Sequence, residues 1–119
     1  MSTTPRPGSP SRGSSTGRPV MVALDVLGRR GTLRVLWELR GDPLTFRALQ
    51  GACETNPATL NTRLRELRDL DLVDHQDGGY RLTSHGRSLA SALGPLQSWA
   101  DHWAADLRAR ERFDAQTQG

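Results

Sequence analysis

The sequence contains no lysine, a single cysteine and no long hydrophobic run. The lone thiol, Cys53, excludes a framework of disulfide bonds within the chain and is typical of a reducing compartment. No segment has the run of apolar residues that a membrane-spanning helix needs, and the first residues lack the apolar stretch of a secretory signal. We therefore expect a cytoplasmic protein without a membrane partner.

Residues 1–19 have almost no hydrophobic side chains. They are nearly all Ser, Thr, Pro, Gly and Arg, a composition that cannot bury enough apolar surface to offset the entropy of the chain. We predict a disordered tail over residues 1–19, one domain over 20–113 and a disordered C-terminus over 114–119. The hydrophobic fraction of 35% suffices for a modest core in that domain.

The net charge of +3 comes from the tail alone. Arg6, Arg12 and Arg18 lie in a segment that has no acidic residue, whereas acidic residues balance the arginines of the rest of the chain. The high isoelectric point therefore does not predict a basic, nucleic-acid-binding domain by itself. Only a local cluster of charge on the domain can support that function.

The spacing of apolar residues predicts a mainly α-helical domain with a small β-hairpin. Thr32, Thr45 and either Thr83 or Ser84 are predicted to cap helices. The segment "VDHQDGGYRL" predicts two strands joined by a tight turn, and Gly94 with Pro95 should bend or break the last helix. Helices are predicted over residues 20–28, 31–43, 46–53, 56–69 and from 84 to about 113.

The fourth predicted helix has the most informative pattern. Asn56 can cap its free backbone donors and Pro57 fits its first position. Three leucines recur at helical spacing and form an inward stripe, and the opposite side is polar. Small and hydrogen-bonding side chains on that side are suited to the edges of DNA bases. The residues opposite the stripe are Ala58, Asn61, Thr62 and Arg65.

The predicted order of helices and hairpin is that of a winged helix-turn-helix domain. The segments "ALDVLG", "LNTRLREL" and "YRLTSHGRSL" resemble the HxlR family of bacterial transcriptional regulators, within the MarR-like superfamily. This resemblance covers about residues 18–103. It implies a homodimer held by additional N- and C-terminal dimerisation helices, which binds double-stranded DNA through the fourth helix and the wing. By motif position, Thr59, Asn61, Thr62, Arg63 and Arg65 would face the DNA.

Two further arginines complete the predicted DNA-binding set. Arg68, like Arg63, is expected to contact phosphates, which position a protein on DNA. Arg81 is the only cation of a wing that is short and acidic. The chain also departs from the family because it has no cysteine just before the first helix, where many members place a redox-active thiol. That sensing mechanism has no residue to act through here.

The residues leave other functions open. Trp99 and Trp103 belong either to a dimer seam or to a site for a small planar effector whose binding releases DNA. A third hypothesis is a protein-interaction module that has lost DNA binding, as the acidic wing suggests. Cys53 is interpreted as a small core residue, with redox sensing as the alternative.

Catalytic chemistry has no candidate residues in this sequence. Paired carboxylates, a nucleophile with a positioned base and a glycine loop for phosphates are all missing. The three histidines have no metal-ligand spacing. We therefore predict no enzyme, no metal and no cofactor. The preferred function is a homodimeric repressor that binds a pseudo-palindromic operator, with half-sites about 10 base pairs apart.

Overall fold

The computed structural model describes residues 4–117 and contains five helices and one two-stranded antiparallel sheet in that range. Their order matches the predicted winged helix-turn-helix domain. None of these helices is long and apolar enough to cross a membrane. The elements are α1 (Pro19–Leu27), α2 (Thr32–Glu38), α3 (Phe46–Cys53), α4 (Pro57–Asp69), β1 (Val73–Gln76), β2 (Gly79–Leu82) and α5 (Ser84–Thr117).

The chain divides into two compact units between Arg87 and Ser88. The first unit holds the core, to which α1 to α4 and both strands contribute. The second is the part of α5 that begins at Ser88. The buried apolar residues of the core are Val22, Val26, Val35, Leu36, Leu39, Leu49, Leu60, Leu64, Leu67, Val73, Tyr80 and Leu82.

The capping predictions hold for α3 and α4 but not for α2. Thr45 accepts a hydrogen bond from the Ala48 amide at 3.1 Å, as predicted. Thr32, however, is the first residue of α2 and is buried, and Gly31 is the cap. Gly31 has a φ of 89°, a left-handed conformation that glycine adopts without a steric penalty. The predicted cap at Thr32 is therefore wrong.

The hairpin has the predicted tight turn. Gln76 pairs with Gly79, so Asp77 and Gly78 form a two-residue loop with φ values of 52° and 77°. Two positive φ angles are the mark of the turn that matches the twist of paired strands. Leu44 forms a single antiparallel bridge to the hairpin, since it exchanges backbone hydrogen bonds of 3.0 and 2.7 Å with Tyr80.

The start of α5 is fixed by a close backbone contact. Thr83 Oγ1 accepts a hydrogen bond from the Gly86 amide at 3.0 Å and caps the helix, one of the two predicted caps. Gly86 is buried, and a Cβ atom at this position would lie 2.1 Å from the carbonyl oxygen of Leu72. Only glycine allows α5 to approach the chain before β1 so closely.

Helix α5 is not broken at Pro95, contrary to one of the two outcomes predicted there. The helix runs through this residue and continues to Thr117 rather than ending near Phe113. A proline removes one helical hydrogen bond. The carbonyl that loses its partner belongs to Ser91, an exposed residue, so water can replace the lost donor.

Residues 4–18 contain no helix or strand, apart from a single bridge between Ser11 and Ser14. They nevertheless make hydrogen bonds to the domain. A guanidinium nitrogen of Arg6 donates to the Asp69 carbonyl at 3.2 Å, and the Arg12 amide donates to Asp25 at 3.3 Å. The disorder predicted for this tail stays a prediction, and residues 1–3 and 118–119 lie outside the described range.

We predict that Gly86→Ala lowers the free energy of unfolding by about 1–3 kcal/mol, because the new methyl group overlaps the Leu72 carbonyl. Gly51→Ala is the matched control: this helical glycine has no atom within 4 Å of its Cβ position, and alanine there should add up to about 1 kcal/mol. Urea denaturation at one protein concentration measures both. Equal stabilities of the two variants would contradict the close contact.

Candidate nucleic-acid interface

Helices α3 and α4 form a helix-turn-helix. Glu54 ends α3 in a left-handed conformation with a φ of 52°, which turns the chain sharply. Asn56 then accepts a hydrogen bond from the Thr59 amide at 2.8 Å, and Pro57 occupies the first position of α4. The predicted start of this helix is confirmed.

The leucines of α4 lie against the core and so determine which side of the helix remains free. Leu60, Leu64 and Leu67 are each no more than 2% exposed. Because the helix turns by about 100° per residue, the side opposite this stripe is the one available to a partner. Its exposed residues include Asn61 and Arg65, and Arg68 is exposed on the flank of the stripe.

The predicted contact residues differ in how freely they can reach a partner. Within residues 4–117, the side chains of Arg65 and Arg68 make no hydrogen bond or ion pair with the protein. Thr59 and Thr62 are half-buried, and Thr62 Oγ1 donates to the Ala58 carbonyl at 3.0 Å. The short threonine side chains therefore lie close to the helix, whereas the two arginine side chains extend from it into solvent.

Arg63 occupies a different place from the one predicted. Its side chain is only 18% exposed, and its Nε donates to the Arg30 carbonyl at 2.8 Å. Its Nη1 also donates to Glu66, one turn further along α4. These bonds hold the guanidinium against the protein, and the phosphate contact predicted for Arg63 stays a prediction.

Glu66 is the residue of this site that the sequence did not reveal. It is 4% exposed, and its Oε2 accepts a hydrogen bond from Nη1 of Arg29 at 2.5 Å. Arg29 lies in the turn between α1 and α2, 37 residues earlier in the chain. The spacing of Arg63 and Glu66 indicates a local ion pair, but no sequence pattern points to the distant arginine.

The single arginine of the wing is paired with an acidic residue of the same hairpin. Arg81 lies directly opposite Asp74 in the hairpin, with a nitrogen-to-oxygen distance of 3.4 Å, and it also donates to Gln76. This pairing offsets the only cation of the wing. His75 is exposed and stacks on Tyr80, with ring centroids 4.0 Å apart.

An open groove of about 490 Å³ lies between α4 and β1. Arg65 and Arg68 line one side, and Asp74 and His75 line the other. Asp69 of α4 lines the groove as well, so α4 contributes two arginines and one acid and the wing contributes Asp74. The net positive charge of α4 makes it the favourable side for an anionic partner.

The apolar residues of α5 after Ser88 form an exposed stripe. Trp99 and Trp103 are 59% and 55% exposed, and their rings stack with centroids 5.5 Å apart. Leu96 and Leu107 continue the stripe at 52% and 40% exposure. In the first unit, Val20 and Leu24 of α1 are exposed as well. The contiguous apolar stripe of α5 is typical of an interaction site.

Cys53 lies at the end of α3 and is partly buried. Burial raises the pKa of its thiol, the nearby Glu38 raises it further and Arg34 lowers it. A raised pKa leaves less of the reactive thiolate. Across residues 4–117, no group of three or more His, Cys, Asp or Glu residues is arranged to hold a metal ion.

Comparison with known proteins places this geometry among transcription factors. The family model described as the HVO_A0261 N-terminal domain matches residues 24–101. An HTH-type transcriptional regulator of Methanocaldococcus jannaschii is 28% identical over 66% of this chain and 78% of its own length. One of Mycobacterium tuberculosis is 35% identical over 76% of this chain, which spans only 60% of that longer relative.

Solved structures agree with this result. The quinone-bound form of YodB from B. subtilis superposes with a TM-score of 0.68 at 27% identity, over 71% of this chain and 97% of that protein. A possible HxlR family transcriptional factor from Thermoplasma volcanium has the same fold, with a TM-score of 0.61 at 22% identity over 70% of this chain and 82% of its own.

We predict that Cys53 is a slow nucleophile. Because its pKa is raised, its alkylation by iodoacetamide at pH 7.5 should be several-fold slower than that of N-acetylcysteine. In urea the two rates should become equal, since unfolding removes the burial. An alkylation rate in the folded protein that equals or exceeds that of N-acetylcysteine would contradict the assignment and favour a sensing role.

Proposed function

Since the chain belongs to the HVO_A0261 N-terminal domain family and is a winged-helix transcriptional regulator of the HTH type, we propose that it is a homodimeric repressor that reads a pseudo-palindromic operator with α4. The observation that carries this proposal is the free side of α4. Its leucines are buried and arginines neutralise the charge of Glu66, so Arg65 and Arg68 extend without an ion-pair partner from an exposed, hydrogen-bonding surface.

The residues of α4 divide into base contacts and phosphate contacts. Arg65 and Asn61 are exposed on the side opposite the leucine stripe, where they can bond to base edges in the major groove. Thr59 and Thr62 are short enough to let the helix approach the bases. Arg68, one turn beyond Arg65, is suited to a phosphate. Arg63 and Arg81 are omitted from this set because acidic partners hold them within the protein.

The exposed stripe of α5 supports the second half of the proposal, the homodimer. Leu96, Ala100, Trp103 and Leu107 follow one another at spacings suited to a partner helix. In a symmetric dimer the same stripe of a second copy covers them. Two copies then present two α4 helices to successive major grooves, about 10 base pairs apart.

Repression follows from occupying a promoter and blocking polymerase. With DNA as the partner, we also propose the cytoplasmic location predicted above. The stacked Trp99 and Trp103 favour one alternative, an effector site for a small aromatic compound at the dimer interface. The quinone bound to YodB makes a planar ligand a reasonable class of effector to consider.

We predict that Arg65→Glu weakens binding at least about 100-fold to a duplex selected from a random library by the wild-type chain, because a base contact is lost and a like charge faces the DNA. Electrophoretic mobility shift measures the affinity. Arg112→Glu, which makes the same charge change on the exposed side of α5 opposite Trp103, is the control and should bind nearly as the wild type does. Unchanged affinity of the Arg65 variant would remove α4 from the interface.

We predict that Trp103→Glu raises the dissociation constant of the dimer at least about 30-fold, because a charge is placed in an apolar seam. Sedimentation equilibrium measures it. Ala105→Glu is the control, since Ala105 is exposed on the side of α5 away from Trp103. A dimer of unchanged strength would contradict the seam and favour the effector site instead.

A further inference from the structure

A buried carboxylate joins α4 to the turn between α1 and α2. Glu66 is 4% exposed and accepts hydrogen bonds from two guanidinium groups, one on each of its oxygens. Arg29 Nη1 reaches Oε2 at 2.5 Å from the turn, and Arg63 Nη1 reaches Oε1 from within α4. We call these three residues the Glu66 cluster.

The Glu66 cluster is also hydrogen-bonded to the backbone of the turn. Nε of Arg63 donates to the Arg30 carbonyl at 2.8 Å. The next residue, Gly31, has a left-handed φ of 89°, and its Cβ position would lie 3.9 Å from Cγ of Arg63. Arg63 therefore lies along the turn, and α4 is attached there through a side-chain bond and a backbone bond.

These bonds constrain α4 in a way that its leucines cannot. Contacts of Leu60, Leu64 and Leu67 with the core depend on buried area and have no direction. A hydrogen bond between charged groups weakens steeply when its distance or angle changes. Burying such a cluster is costly and adds little net stability. The physical contribution of the cluster is to fix the angle at which α4 is rotated about its own axis.

That rotation decides what the exposed side chains can reach. At a side-chain radius of about 6 Å, turning a helix by about 20° moves a group by about 2 Å. Such a displacement is enough to break a bidentate contact between an arginine and a guanine. Arg65 is the immediate neighbour of Glu66, and Asn61 precedes Arg63 by two residues, so a rotation of α4 at the cluster turns both side chains with it.

We propose that Glu66 is a positioning residue: together with Arg29 and Arg63 it sets the rotation of α4 and thereby aims Asn61 and Arg65 at the bases. This rests on the proposed function, the reading of DNA by α4. The Glu66 cluster contributes to selectivity between sequences, and the phosphate contact of Arg68 contributes to affinity for any duplex.

The test compares two duplexes: the one selected from a random library by the wild-type chain, and a scrambled duplex of the same composition. Glu66→Gln keeps the shape of the side chain and removes its charge. We expect the ratio of the two affinities to fall at least about tenfold, with binding to the scrambled duplex preserved. Arg68→Ala is the contrast, because it should weaken both affinities alike and reduce the salt slope by about one.

Two further variants keep the test decisive. Arg29→Ala cuts the link to the turn while Arg63 still pairs with Glu66, so it reports on positioning if the Glu66 variant fails to fold. Gly86→Ala destabilises the domain away from the cluster and should leave the affinity ratio unchanged. Circular dichroism checks the folding of each variant.

The outcomes separate this inference from the proposed function. A wild-type chain that binds both duplexes equally would overturn the proposed function and the positioning role with it. A wild-type chain that discriminates, with folded variants of Glu66 and Arg29 that discriminate equally well, would overturn only the positioning role. A reduced ratio in either folded variant supports it.

Discussion

The orientation of α4, the helix that we propose reads DNA, depends on one buried ion cluster, in which Arg29 and Arg63 hold the carboxylate of Glu66. The leucines of α4 determine which side of the helix is buried, but their packing against the core tolerates small rotations of the helix about its axis. The bonds to Glu66 have direction, and those from Arg29 and Arg63 tie the helix to the turn before α2. Apolar packing thus stabilises the contact between α4 and the core, and the charged groups determine the orientation of the helix in that contact.

The same pairing explains how a nearly neutral domain can present a local positive surface. Acidic partners engage Arg29, Arg63 and Arg81, each within the protein. The arginines of α4 that remain unpaired within residues 4–117 are Arg65 and Arg68, and both line the groove next to β1. Affinity for DNA then has to come from a few well-placed contacts instead of a broad positive field.

Local chemistry made much of this fold predictable. Asn56 with Pro57 predicts the start of α4, and Asp77 with Gly78 predicts the hairpin turn, because each acts on its own backbone. The predicted cap at Thr32 was wrong because Gly31, one residue earlier, can adopt the left-handed conformation that starts α2. The predicted end of α5 was wrong because no residue near Phe113 stops the exposed helix before Thr117. Burial of Glu66 could not be predicted at all, because its partner Arg29 is brought close only by the tertiary fold.

The central claim is that α4 of each copy reads the major groove. Methylation interference on the selected duplex tests it most directly, because methylation of guanine N7 adds a group in the major groove and methylation of adenine N3 adds one in the minor groove. The account predicts interference at guanine N7 in two clusters, centred about 10 base pairs apart. Interference confined to adenine N3, or none at either position, would contradict it.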